Sequence, residues 1–505
     1  MTKYLSRIFL FLTAAVFTLS FINADWQSKL LKLNKDGTLI YFPDENGNII
    51  PDFSSVGYQQ GDQPLPNVKV VKTVEALPNA DSGELIQQAI NEVSGLKADE
   101  NGHRGAILLK KGTYKIAGVI KIKKSGVVLR GETGTLLIAT GTTKRNLIEI
   151  SGEGNAKEVK GSRVKMEESY VPVGAKSFKV ESVKGYQIGD EIIVYRPASQ
   201  QWIEDLKMDK IVEGVDTKQW DPKYYTFPFE RRITKINGNT ISIDNPIVMA
   251  METKYGGGEV YKYKFEGRIS EVGIENLKIE SEYVSPTDEQ HGWIAVRFDK
   301  AENCWVKNIE TKYFGYAAVS LEDGTKKITV LDSKCLDAKS QITGGRRYSF
   351  NNNGQQNLFM NLEATEGRHD YVTGAKTLGP NVFYNCKASN AHSDIGPHHR
   401  WSMGTLYDNI TTDGEINVRD RGNFGTGHGW AGVNQVLWNC KARSIILQNP
   451  YVSGKNYAIG GNARKKIDTR FGNRPDGVWE GLSKEELNPP SLYLAQLRAK
   501  NLGRK

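Results

Sequence analysis

The chain has 505 residues, with 67 Lys and Arg against 58 Asp and Glu, a formal net charge of +9 and 39% hydrophobic residues. That length holds one large core or two to three ordinary domains, and the modest positive excess suits a polyanionic partner through electrostatic steering. No dense Lys/Arg tract occurs, which disfavours nucleic acid as that partner.

In residues 1–24, Lys3 and Arg7 precede a run from Ile8 to Ile22 that is apolar apart from Thr and Ser, ending near the small residue Ala24. About 15 apolar residues fall short of the roughly 20 that a spanning helix needs, so the reading is a cleaved signal peptide and a secreted or periplasmic protein without a membrane anchor. An N-terminal extension follows over 25–80. The segment Asp81–Ile90 then reads as a capped amphipathic helix, ahead of a strand at Ala106–Leu109. After it come Gly112-Thr113-Tyr114, Val119–Ile122 and Gly126–Gly131, the last ending in Leu-Arg-Gly.

This order, a helix, a Gly-Thr-Tyr turn and short strands, resembles the entry to the pectate-lyase-like right-handed parallel β-helix superfamily. The resemblance implies an all-β fold, a single right-handed parallel β-helix solenoid with an N-terminal capping helix and its first coils over 81–161. It implies less about reaction, because that superfamily holds lyases, hydrolases, epimerases and binding spikes. Many of its members use calcium to bridge a uronate carboxylate.

Over 162–250 the pattern changes to strand pairs, with Gly185, Gly189 and Asn237-Gly238-Asn239 as turns, and predicts an inserted β-rich subdomain. Its stretch with Arg196, Trp202, Asp205, Asp209, Trp220 and Tyr225 suits either sugar stacking or packing of the insert onto the solenoid. The main β-helix, 251–470, carries a recurring step at Asn276-Leu277, Asn303-Cys304, Lys334-Cys335, Asn361-Leu362, Asn385-Cys386, Asn409-Ile410 and Asn439-Cys440, at intervals of 24 to 31 residues. Solenoids whose loops bulge from one side show such irregular periods. All four cysteines fall on this step, which predicts buried free thiols rather than disulfides, and asparagine before it suits a turn ladder. Residues 471–505, with a helix start at Leu492, are expected to cap the last coil.

Five of the seven histidines lie between 369 and 428. A local repeat of 24 places Arg368 under His392 and Asp370 under Asp394, on neighbouring coils about 4.8 Å apart. Elimination at a uronic acid needs a cation for the carboxylate, a base for the C5 proton and an acid for the departing O4. His392 and His399 are the leading bases, with His369, Arg368 and Arg400 beside them and Tyr371 in reserve. Arg419, Arg421, Trp401, His398, His428 and Trp430 are the expected substrate-binding groups.

The expected partner is thus an acidic polysaccharide or oligosaccharide, with sulfated ulvan-like chains among the candidates, acted on by a monomer. The outcome is chain cleavage, or loss of water from a terminal uronate. No cofactor is required, although calcium at Asp370, Asp394 and Asp420 would fit the same substrate. Those three acids would also serve the alternative, a glycoside hydrolase with paired carboxylates. A non-catalytic glycan-binding solenoid is the remaining alternative.

Overall fold

The computed structural model describes residues 26–503 apart from 79 and 485. The expected signal segment 1–24 lies outside the described residues. Among these, no helix is long and apolar enough to cross a membrane.

Short strands pair in parallel with the strand one coil away and form three columns around one core. The first runs from Val70–Val74 through Gly105–Leu109, Val127–Gly131 and the strands between to Val478–Glu480. A second begins at Gly112–Ile116 and ends at Asn462–Lys465. The third begins at Ile120–Ile122 and passes through Phe350–Asn352, Tyr371–Thr373 and Asp394–Pro397 to Glu415–Val418 and Lys441–Leu447. The protein is therefore a parallel β-helix, with the right hand that parallel crossovers almost always take. Helix α1 (Gly83–Ser94) closes the first coil by placing Ile86, Ala89, Ile90 and Val93 into that core.

Every residue of the recurring step is buried, between 0% and 3% exposed, and all four cysteines are free. Leu362, Cys386, Ile410 and Cys440 follow one register along the second column. Cys304 and Cys335 belong to neighbouring positions: Leu277 aligns with Ile309, and Cys335 with Thr311 and Ala364. The expected single stack is corrected accordingly, because coils of unequal length shift the phase. Left-handed backbone at Asn276, Asn361, Asn385, Asn409 and Asn439 makes each corner, a conformation asparagine tolerates. Their amides form a ladder, Asn385 to Asn361 at 2.7 Å, Asn361 to Asp332 at 2.9 Å and Asn439 to Asn409 at 2.9 Å. Thiol titration is expected to find four reactive thiols only after denaturation. Fewer than four in unfolded, unreduced protein would contradict the free-thiol assignment.

An antiparallel sheet interrupts the solenoid from Lys157–Glu158 to Glu259–Lys264, wider than the expected 162–250. It is fixed to the helix by a buried ion cluster, in which Glu230 meets Arg268 at 2.6 Å and Lys326 at 2.9 Å. A shared apolar core joins the two as well: Trp202 and Trp220 of the insert pack on Trp401 and Trp430 of the solenoid. Of the two readings of this aromatic stretch, packing is what these rings do.

Helix α2 (Gln200–Asp205) lies in the insert, and α3 (Leu492–Leu502) follows the last coil. Rather than covering the open end, α3 lies on the flank of the first column. Leu358, Val382, Leu406, Val436 and Trp438 make that outer face apolar, and Leu492 and Tyr493 bury it together with Leu31, Ile50, Phe53 and Val56 of the N-terminal extension.

Candidate functional site

A cleft of about 650 Å³ opens where strands of the third column begin and end. Tyr348 precedes Phe350–Asn352, Asp394 starts its strand, His398 and His399 follow it, and Arg419 and Arg421 follow Glu415–Val418. Arg368, Ser393, Phe424, Gly425, His428 and Arg470 complete the wall with Gly344 and Gly345. Gly425 has φ +55°, and a Cβ there would lie 2.2 Å from the His428 ring, so glycine lets that ring settle against the loop.

Rings fill the floor. His398 lies 4.6 Å from His369, 5.1 Å from His399 and 5.1 Å from His428, centroid to centroid. The Tyr348 hydroxyl is 3.0 Å from His398 Nε2, and its ring meets His369 edge-on at 4.9 Å. His369 itself is fully buried behind this pair. Its Nδ1 is 2.8 Å from the Asp394 carbonyl, which only accepts, so Nδ1 carries the proton and Nε2 the lone pair. His369 Nε2 and the Nδ1 atoms of His398, His399 and His428 are buried without hydrogen-bond partners among the described residues.

Charge follows from burial and the arginines. Asp394 accepts from Arg421 at 2.8 Å and from Ser393 at 2.9 Å. Burial alone would raise its carboxyl, but Arg421 and His369 more than offset this and hold it well below the usual range. Burial first, then Arg400 and Arg421, pulls His399 down to about 4. His369 falls to about 4 and His428 to about 3, again mainly through burial, and His398 is lowered further still. All four rings are thus neutral near pH 7. Burial raises the Tyr348 phenol, against the pull of Arg368 and Arg421.

The structure brings Arg368, Asp394, His398, His399, Arg419, Arg421 and His428 together, with His369 directly behind. Other expected members lie elsewhere. His392, the other leading base, is exposed and bonds Glu366 at 2.8 Å, outside the cleft wall. Arg400 turns to the Thr426 carbonyl at 3.0 Å. Consecutive left-handed residues at Arg400 and Trp401 (φ 53° and 65°) reverse the chain, sending Trp401 into the insert's core, where Trp430 also lies. Neither indole offers a sugar platform. Tyr371 sits inside the solenoid and donates to the carbonyls of Lys387 and Leu362. Asp370 is fully buried beside Ser349, and burial raises it to about 6. Asp420 is held behind the wall by Arg474 and the Gly422 amide, each at 2.8 Å.

Asp394 is consequently the single carboxylate among the lining residues. The expected Asp pair of a hydrolase does not form there. Calcium does not fit Asp370, Asp394 and Asp420 either, since Asp394 and Asp420 are neutralised by arginine and Asp370 faces the interior. Among the described residues no three His, Cys, Asp or Glu converge as metal ligands.

Tyr348, Arg470, Phe424 and Ser393 were not anticipated. Tyr348 had a readable signal, since one coil of 21 residues links Phe350 to Tyr371 and therefore Tyr348 to His369. The insert does not line the cleft. It braces the 422–429 loop from behind, with the Lys218 amide donating to the Thr426 carbonyl at 3.2 Å and Trp220 lying against Gly429.

Fold and site together define a parallel β-helix with a basic, histidine-floored cleft. No protein family matches the chain by sequence, and no curated protein does so. Its fold is similar to that of the Gp54 tailspike of Acinetobacter baumannii bacteriophage AP22, solved with a capsular saccharide (14% identity over 81% of this chain and 65% of that one, TM-score 0.41). It is likewise similar to the tailspike gp49 of Pseudomonas phage LKA1 (13%, 78% and 66%, TM-score 0.43) and to an alginate lyase of Paenibacillus sp. str. FPU-7 (11%, 83% and 99%, TM-score 0.39). The chain spans slightly less than two thirds of each tailspike.

Proposed function

We propose that the cleft performs β-elimination on a glycan containing uronic acid. The observation that carries this reading is the meeting of four arginines with the Tyr348–His398 hydrogen bond in a cleft lined by one carboxylate, itself already paired. The buried Nε atoms of Arg419 and Arg421 have no partner among the described residues and are donors for a substrate carboxylate. Neutralising that carboxylate makes the C5 proton removable. The Tyr348–His398 pair then takes the C5 proton. As the C5–H electrons form the C4–C5 double bond, the C4–O4 bond breaks and the pair returns a proton to O4, so its own charge is unchanged. His399 and His428, neutral and with free ring nitrogens, orient the sugar hydroxyls.

Asp394 and Asp468 balance Arg421 and Arg419, which leaves Arg368 and Arg470 uncompensated. This surplus suits a repeat with two anions, a carboxylate and a sulfate ester, as in ulvan-like chains. Incubation with ulvan, alginate and polygalacturonate, read by the near-ultraviolet band of the unsaturated uronate, tests the reaction. New reducing ends without that band would replace elimination by hydrolysis, and binding without product would leave a glycan-binding solenoid.

The acid limb of kcat/KM reports groups of the free enzyme. A proton-accepting histidine held down by burial and arginines stays neutral until well below the ordinary value of about 6.5. Activity is therefore expected to hold through pH 6 and to fall at more acid pH, towards the values near 4 of the cleft rings. A limb centred near 6.5 would contradict the proposed bases.

A further inference from the structure

Trp293, Tyr316 and Tyr348 occupy consecutive coils, as the backbone bonds Tyr316 N to Trp293 O at 2.8 Å and Arg347 N to Gly315 O at 3.2 Å show. Their rings form a continuous row, with Trp293 and Tyr316 stacked at 5.9 Å and Tyr316 and Tyr348 at 5.1 Å. One end of the row is Tyr348, inside the cleft. At the other end Lys144 Nζ sits 3.4 Å from the Trp293 ring centroid. Gly315 makes the row possible, because a Cβ there would come within 2.5 Å of the Trp293 ring.

Trp293 and Tyr316 are half-buried, and neither the indole N–H nor the Tyr316 hydroxyl has a hydrogen-bond partner among the described residues. A core packing row would hide such groups or satisfy them. This row instead presents a strip of ring edges with free polar tips, running parallel to the solenoid axis away from the arginines. Coils rise by about 4.8 Å, close to the length of one pyranose, so successive rings meet successive sugars. Lys144 adds a cation beyond the last ring, where a further uronate carboxylate would fall.

We infer that Lys144, Trp293 and Tyr316 form a binding track for additional sugars of an acidic polysaccharide, so that the cleft works on a polymer threaded along the axis rather than on an isolated terminal sugar. The inference rests on the proposed elimination and specifies its substrate as a chain.

The test compares native protein with Trp293→Ala, Tyr316→Ala and Tyr316→Phe on ulvan and on the shortest ulvan oligosaccharide that is turned over. For the two alanine variants KM on the polymer is expected to rise about tenfold with kcat unchanged, as loss of an aromatic contact implies, while the oligosaccharide is processed as before. Tyr316→Phe, which keeps the stack, should lie close to native. Equal effects on long and short substrates, or none on either, would overturn the track. Retardation in gels containing ulvan reads the same row without turnover. Native retardation that Trp293→Ala abolishes supports the track even where no unsaturated product forms and the elimination reading fails. Equal retardation of both proteins, or of neither, counts against it.

Discussion

Tyr348→Phe is expected to lower kcat on a uronate polymer by about a hundredfold or more while leaving the fold intact, the usual effect of deleting a positioned proton-transfer group. The substitution keeps the ring that stacks on Tyr316 and meets His369, and removes only the hydroxyl 3.0 Å from His398 Nε2. Without it His398 loses its one hydrogen-bond partner, and no phenol remains to return a proton to O4. His398→Ala should produce a loss of similar size. The double variant should lose little more than either single one, because the two groups act as a unit. Turnover is followed by the unsaturated product and folding by circular dichroism. Full activity in Tyr348→Phe would remove the pair from the mechanism.

Arg421→Ala is expected to cost about 3–5 kcal/mol of stability in chemical denaturation as well as most activity, because it leaves the Asp394 carboxylate buried without its cation. Arg421 and Asp394 are only 5% and 6% exposed, and their contact is 2.8 Å. Sign matters for the pH dependence. Asp394 is depressed in the folded state, so its contribution is fully present above the unfolded carboxylate value of about 4 and is lost as pH falls through the folded one. Arg421→Ala should abolish this contribution, and stability should then decline less steeply in acid. Adding Asp394→Asn to Arg421→Ala removes the stranded charge, so much of the stability should return while activity does not. A single variant as stable as the native protein would mean that the pair is solvated and the cleft floor is open.

The solenoid was legible because its physics is periodic. Each coil must bury a side chain at the corner before the second column, and Leu362, Cys386, Ile410 and Cys440 do so at nearly constant spacing. Left-handed corners select asparagine, which is why it recurs before those residues. The region of the site was visible for a related reason. Short coils of the third column carry histidine and arginine at strand ends, where a β-helix exposes side chains without disturbing its core. What local spacing does not contain is direction. His398 and His399 face the cleft, but left-handed backbone at Arg400 and Trp401 sends the next side chains elsewhere.

Composition and repeat by themselves determined an all-β parallel solenoid, an inserted subdomain, free buried cysteines and a segment rich in histidine and arginine. Tertiary structure alone decided which of those residues meet. Trp401 and Trp430 became core because the insert, some 200 residues earlier, supplies Trp202 and Trp220 to pack against them. His392 left the site because Glu366, one coil away, pairs with it outside the cleft. Tyr348 entered because a coil shorter than its neighbours set it beside His369 and His398. In each case the deciding partner is distant in sequence, and side-chain direction at a turn depends on a register that only the assembled coils establish.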